Sequence, residues 1–260
     1  MNLKKVYIVL MLLTAAALPV CAADTPNMLK TEFQDIPPKF LINSDGSFSG
    51  LSYDLMKMIE RNSDIRFSYS ADVIPLSRVT FDISKGAIDV QVGIQKTPER
   101  EKLMIFGEPL YKVKTVAVVR ADDDFSCRTL ADIAALGPDD GRILTVWGTG
   151  IAQILKSMPG LSVEDGARTP DAAIKKLIAG RGRVLIYHNL TINYLMKNPA
   201  FAGKIKIVPL DFRGTGLNDT WQYIAFSKTV SPDLIRKINR VIVEARTRGE
   251  LDRISRQYLE

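Results

Sequence analysis

From Gly50 onward the chain alternates short β-branched runs with amphipathic ones, and this alternation most narrows its fold. Residues 50–61 (GLSYDLMKMIER) place Leu51, Leu55, Met58 and Ile59 at helical spacing after a turn at Asn43-Ser44-Asp45-Gly46. The spacing predicts further helices over 79–85, stopped by Gly86, over 130–136, over 172–179 and from Pro232 onward, with Gly249 dividing off 250–258. Strands are predicted over 88–94 (IDVQVGI), 115–120 (TVAVVR), 143–147, 184–187, 205–209 and 223–226. Strands interleaved with helices imply an α/β protein with mostly parallel sheets. There is no internal repeat or low-complexity tract.

Composition closes off other classes. With 260 residues, 46% hydrophobic, 25% charged and only two Cys, the chain is not disordered, collagenous or a disulfide-stapled miniprotein. The length suits one large domain or two lobes of roughly 100 residues. A net charge of +6 is compatible with an anionic ligand or a membrane surface. No basic cluster is interleaved with aromatics and no zinc-finger spacing occurs, so nucleic acid is not an expected partner.

Lys4 and Lys5 precede an apolar stretch, 6–18, followed by Pro19 and the small-residue site Val20-Cys21-Ala22-Ala23. This pattern reads as a cleaved signal peptide over 1–22 and export to the periplasm. The stretch is shorter than the about 20 residues a transmembrane helix needs. Cleavage removes two Lys and no acid, lowering the net charge from +6 to +4. Cys21 is a poor match to a lipoprotein signal, and without it Cys127 stands alone, with no disulfide partner. The only His, His188, has no cluster of metal ligands around it in sequence, so no metal or cofactor is expected.

The most informative segment is 86–111 (GAIDVQVGIQKTPEREKLMIFGEPLY). A strand reaching Gly93 delivers its C-terminal edge to a loop bearing Gln95, Thr97 and Arg100, where α/β sheets keep their ligand crevice. A guanidinium suits a carboxylate because its planar fork donates two parallel hydrogen bonds. The residues alone equally allow a surface loop in which Arg100 pairs with Glu99 or Glu101.

Six collinear motifs add to this reading: G-L-x-x-D-L from Gly50 to Leu55, G-x-x-D-x-x-x-G from Gly86 to Gly93, T-P-E-R-E from Thr97, F-x-x-P-L-Y from Phe106, G-T-G at Gly148–Gly150 and Y-I-A-F-S-K from Tyr223. Together they resemble the extracellular solute-binding proteins of family 3, which include periplasmic receptors that deliver polar amino acids to ABC importers. The resemblance implies a two-lobed periplasmic-binding-protein type II fold with two hinge strands. Lobe one would hold 23–110 and 222–260, and lobe two 111–221, with crossings near 110–114 and 216–222. A monomer that traps a small polar or carboxylate-bearing, amino-acid-like solute by interlobe closure and passes it to an inner-membrane ABC permease is implied.

By the same resemblance Arg100 grips a ligand carboxylate and the backbone of Gly93 faces the ligand. Gln95 stands where Ser or Thr is common, and Thr149 and Gly150 form the lobe-two turn at a helix N-terminus. The position that usually offers an Asp to an ammonium holds His188, with Asn189 beside it. The positions of two aromatic clamps hold Ile36 and Leu76, for which Asp35, Tyr53, Arg78, Tyr187 and Trp147 are possible substitutes. An ordinary amino-acid ligand is therefore disfavoured relative to a small carboxylate. If His188 lines the cleft near Arg100, its pKa should fall and anion binding should strengthen toward mildly acidic pH. Two other functions share the scaffold: an enzyme like the cyclohexadienyl dehydratases, and a ligand sensor for a separate membrane protein.

Overall fold

The computed structural model describes residues 27–70 and 72–259; the expected signal peptide, with Cys21, lies outside them. The chain begins with β1 (Asn27–Lys30), β2 (Phe33–Gln34), β3 (Leu41–Ile42), β4 (Phe48–Ser49), α1 (Leu51–Arg61), β5 (Ile65–Ser68), β6 (Val73–Ile74), α2 (Leu76–Ser84) and β7 (Val90–Gln95). A four-residue helix, α3 (Pro98–Glu101), leads into β8 (Ile105–Val113), which passes through Lys114 into β9 (Thr115–Arg120). There follow α4 (Leu130–Ala135), α5 (Gly137–Asp140), β10 (Ile143–Val146), α6 (Gly150–Ser157), β11 (Val163–Ala167), α7 (Pro170–Ile178), β12 (Val184–His188), α8 (Asn189–Met196) and β13 (Ile205–Val208). The chain returns through β14 (Thr220–Phe226) to α9 (Pro232–Thr247) and α10 (Glu250–Leu259).

The sheets are mixed rather than mostly parallel. Parallel pairing holds where a helix crosses over between strands, as in β10 with β11 and β10 with β12. Both strands that leave one lobe for the other break that rule. β9 lies antiparallel to β12 and β13, giving the order β11-β10-β12-β9-β13, and β14 lies antiparallel to β7 and β8 in the order β7-β14-β8. At the crossing the two strands are paired directly, Val113 with Thr220 and Tyr111 with Gln222. Pro109 interrupts β8, which it can do because β8 is an edge strand of its sheet.

Apolar side chains divide into separate cores. One gathers α1, β7, α9 and α10 around Leu55, Met58, Val92, Ile238 and Ile242, with a smaller cluster under α2 around Val79 and Ile83. The other gathers β9, β10, β12, α6 and α7 around Val118, Leu144, Ile151, Ile174 and Ile186. Leu190, at the start of α8, belongs to the first core although the strand before it belongs to the second. That side chain ties the two lobes together beside the crossing. The first core is closed by an amphipathic helix: α9 buries Ile235, Ile238, Val241, Ile242 and Ala245 on one face, after Ser231 accepts from Leu234 N and Pro232 opens the first turn.

One glycine sets how the first lobe is assembled near the crossing. Leu51 N and Ser52 N, free donors at the start of α1, donate to Pro38 O and Lys39 O at 2.9 and 3.0 Å. Gly50 permits this at φ +116°, where a Cβ would stand 2.5 Å from Lys39 O and 2.6 Å from Pro38 O. Gly50→Ala is expected to cost about 1–3 kcal/mol, a fall in melting temperature of roughly 2–10 °C, measured by circular dichroism. An unchanged melting curve would show that the 38–39 loop does not anchor α1.

Candidate functional site

The two lobes face each other across a cavity whose space open to the centre of a water molecule is about 20 Å³. From the first lobe it is lined by Gln34, Ile36, Lys39, Leu76, Ile94, Gln95, Arg100 and Gln222. The second lobe contributes Thr149, Gly150, Tyr187 and His188. The elements that end here are β7, β12 and the start of α6, the edge where a wound sheet exposes free backbone groups.

Arg100 is turned inward by its own short helix. Thr97 caps α3, its Oγ1 accepting from Arg100 N at 3.4 Å, and Pro98 opens the turn, so Glu99 and Arg100 leave on different faces. Arg100 as a whole is 3% exposed. Its Nη1 donates to Gln95 O at 2.6 Å and its Nη2 to Gly148 O at 2.9 Å, one carbonyl from each lobe. The alternative surface pairing does not form: Glu101 pairs with Lys96 at 2.7 Å and Glu99 is exposed. Burial pushes Arg100 down to about 10, so it stays charged near neutral pH.

Four lining residues were not expected from the sequence, Gln34, Ile94, Gln222 and Lys39, and Lys39 matters most. Held by the α1 contact through its carbonyl, it sends its side chain inward and is 6% exposed. Its Nζ donates to Gly93 O at 2.6 Å and to Gln222 Oε1 at 3.1 Å. Burial, and secondarily the neighbouring charge of Arg100, push the ammonium down to about 7. Within Asp35-Ile36-Pro37-Pro38-Lys39-Phe40 nothing marks this Lys as internal, because its anchor, Gly50, is distant in sequence and the backbone contact leaves no residue signature.

His188, at the end of β12, is 8% exposed and lines the cavity. Burial, then Lys39, then Arg100 push it down to about 3, in the expected direction, which leaves it neutral through the mildly acidic range. The expected source of pH dependence is thereby corrected: among the lining residues Lys39, not His188, is the group poised near neutrality.

The remaining expected residues divide. Thr149 lines the cavity, but its hydroxyl caps α6, accepting from Ala152 N at 3.2 Å while donating to Val146 O at 2.8 Å. Gly150 lies so close to Gln95 that a Cβ there would collide with Gln95 Oε1. Gly93 sits behind the wall, its carbonyl taken by Lys39; at φ +85° a Cβ would stand 2.5 Å from Tyr111 Oη and 2.7 Å from Ser52 Oγ. Asn189 is turned away to the crossing. Its Oδ1 accepts from Lys114 N and its own N donates to Lys114 O, both at 2.8 Å.

Ile36 and Leu76 do line the cavity, as does Tyr187. The other possible clamps do not. Tyr53 packs in a lobe-one aromatic cluster with Phe33, Phe48 and Tyr69, and Arg78 pairs with Asp82 at 2.6 Å. Trp147 is on the surface under Arg168. Asp35 is outside the lining, its carboxyl raised by burial and by Asp171.

No Asp or Glu is among the lining residues. Both side-chain amide atoms of Gln34, Gln95 Oε1, Gln222 Nε2 and His188 Nδ1 have no hydrogen-bond partner among the described residues. Buried polar atoms left unpaired cost stability, so the cavity carries unspent hydrogen-bonding capacity around two cationic groups.

Solved structures share the architecture. An ancestral arginine-binding protein bound to arginine matches with a TM-score of 0.74 at 22% identity, over 91% of this chain and 100% of that one. Holo ArgBP from T. maritima matches at 0.69 and 24%, over 85% and 91%. An ancestral amino-acid-binding protein described as a precursor of cyclohexadienyl dehydratase matches at 0.73 and 16%, over 90% and 96%. These likenesses establish the two-lobed type II periplasmic-binding-protein fold. No curated protein sequence matches the chain. The family model that does match spans residues 30–260, nearly everything beyond the N-terminal segment, and the chain belongs to the bacterial extracellular solute-binding proteins, family 3.

Proposed function

We propose that the protein captures a small carboxylate-bearing solute in the periplasm, by closing its lobes, and delivers it as a monomer to an inner-membrane ABC importer. In this reading the lobes are 23–110 with 222–260, and 111–221, hinged near 110–114 and 216–222. The observation that carries it is Arg100, a buried guanidinium whose two donors engage a carbonyl on each lobe. The bond to Gly148 O exists only while the lobes are together. A carboxylate reaching the guanidinium competes for the same donors and offers a charged acceptor, roughly twice as strong as a neutral one. The start of α6, at Gly150 and Ile151, turns free N–H groups and the positive end of the helix toward the same space. Solute affinity then becomes closure, because a solute contacting both lobes gains its full contacts only in the shut form.

The relatives named above bind arginine or amino acids, and family membership supports the wider reading of a polar-solute receptor. An enzyme of the dehydratase kind relied on His188 as its acid or base. Held neutral down to about 3, that imidazole has no acidic proton to give near neutral pH and is a weak base; an enzyme reading would instead have to use Lys39, the lining group poised near neutrality. Turnover of prephenate or arogenate by the purified protein would favour the enzyme over the receptor.

A thermal-shift screen of amino acids, dicarboxylates and aromatic acids is expected to yield a stabilising solute. Against it, Arg100→Ala is expected to lose about 30-fold or more in affinity by titration calorimetry, the effect of removing a buried charged partner. Full affinity in that variant would refute the clamp. Gly150→Val, which fills the space taken by Gln95 Oε1, is expected to block closure. Small-angle scattering should then show solute-induced contraction in the wild type and none in the variant; contraction in both would show that this wall contact is not needed.

A further inference from the structure

We propose that the cavity selects a small acid carrying two negative charges, a dicarboxylate, with Arg100 holding one carboxylate and Lys39 the other. The inference rests on the capture reading above and names its ligand class. Two cationic side chains, each more than nine-tenths buried, end in one cavity whose lining includes no carboxylate. Both are held by neutral oxygens: Arg100 by Gln95 O and Gly148 O, Lys39 by Gly93 O and Gln222 Oε1. Dipoles of this kind keep a buried cation in place without neutralising it, and each cation gains most from a full counter-charge.

An α-amino acid fits this arrangement poorly. Its ammonium would be desolvated beside two like charges with no carboxylate to receive it. A monocarboxylate leaves one cation uncompensated. A dicarboxylate matches both, and the unpartnered amide nitrogens of Gln34 and Gln222 are further donors for its oxygens. Gln222 occupies a hinge strand opposite Tyr111, so a carboxylate on Lys39 would also contact the crossing. Because the cavity is only water-sized as the lobes stand, the acid must enter with the lobes parted, and they must settle around it less tightly than here, with Arg100 released from Gly148 O.

Lys39 also gives the proposal a proton signature. The titratable groups around its cavity are Arg100 after β7, His188 and Tyr187 on β12, and Tyr111 on β8; burial raises both tyrosines, and His188 is pushed down to about 3. Lys39, pushed down to about 7, is mostly neutral at about pH 8 in the unliganded protein. An anion favours its charged form and raises the value again, so binding takes up a proton there and weakens as pH rises above about 7.

The test is calorimetry and thermal shift with malonate, succinate, L-malate, butyrate, glycine, L-glutamate and L-arginine as probes, on the wild type and Lys39→Met. A dicarboxylate is expected to bind at least about tenfold tighter than butyrate or any of the amino acids. Lys39→Met is expected to weaken that dicarboxylate by about 30-fold and to leave butyrate within a few-fold. In buffers of different ionisation enthalpy, the wild type should take up a fraction approaching one proton per dicarboxylate at about pH 8. The wild-type proton count decides the matter if Lys39→Met does not fold. Equal affinity for amino acids or butyrate, no proton uptake, or an unaffected Lys39→Met overturns the dicarboxylate assignment while capture stands. Failure of every probe, and of the wider screen, to bind overturns capture itself.

Discussion

A buried positive charge must be met by oxygen, and in this protein the oxygens that meet two such charges come from the backbone and from amide side chains. Arg100 and Lys39 together engage Gln95 O, Gly148 O, Gly93 O and Gln222 Oε1. Those four oxygens sit on β7, on the loop before α6 and on β14, so satisfying the cations fixes strand ends of both lobes around one point. Several glycines follow from that requirement. Gly50 lets the Lys39 loop lie against α1, and Gly93 lets β7 pass beneath Tyr111 and Ser52 while offering its carbonyl. A side chain at either place would shift the oxygens the cations need.

In the proposed capture, closure and recognition are a single event. Arg100 binds across the gap, so a competing anion would act on the contact that holds the lobes together. Solved proteins described as binding arginine or amino acids share the frame. Here two buried cationic side chains and no carboxylate line the cavity, and what a fold binds is set by its site rather than by its frame.

Much of the architecture was legible in the string of residues. The amphipathic runs marked α1, α7 and α9, and the β-branched runs marked β9, β10 and β12, because burial on one face leaves a periodic trace. The strand β8 was missed as an element: it is an edge strand broken by Pro109, with side chains half-exposed along much of its length, so it has no clean alternation. Sheet direction was misjudged for a related reason, since crossover logic does not apply to strands that pass between lobes. At the site, Arg100 was singled out by the family resemblance of the segment Thr97–Glu101, since its position in a loop at a strand end equally allowed a surface ion pair. Asn189 was misplaced because adjacency to His188 says nothing about which way a helix-start side chain turns. Lys39 was missed because a lysine between proline and phenylalanine reads as a surface residue until the α1 contact is known.

Beside the crossing, Leu190 is planted in the first core while Asn189 grips Lys114 on both its N and O. In the capture cycle proposed above, that junction would be the fulcrum, and points near a fulcrum travel least when the bodies on either side rotate. His188, next to Asn189 in sequence, would then keep its place relative to Lys39 and Gln222, whereas Thr149 and Gly150 would swing through a larger arc. On that proposal the cavity has a stationary floor and a moving roof, and an arriving molecule would be sampled by the floor before the roof descends.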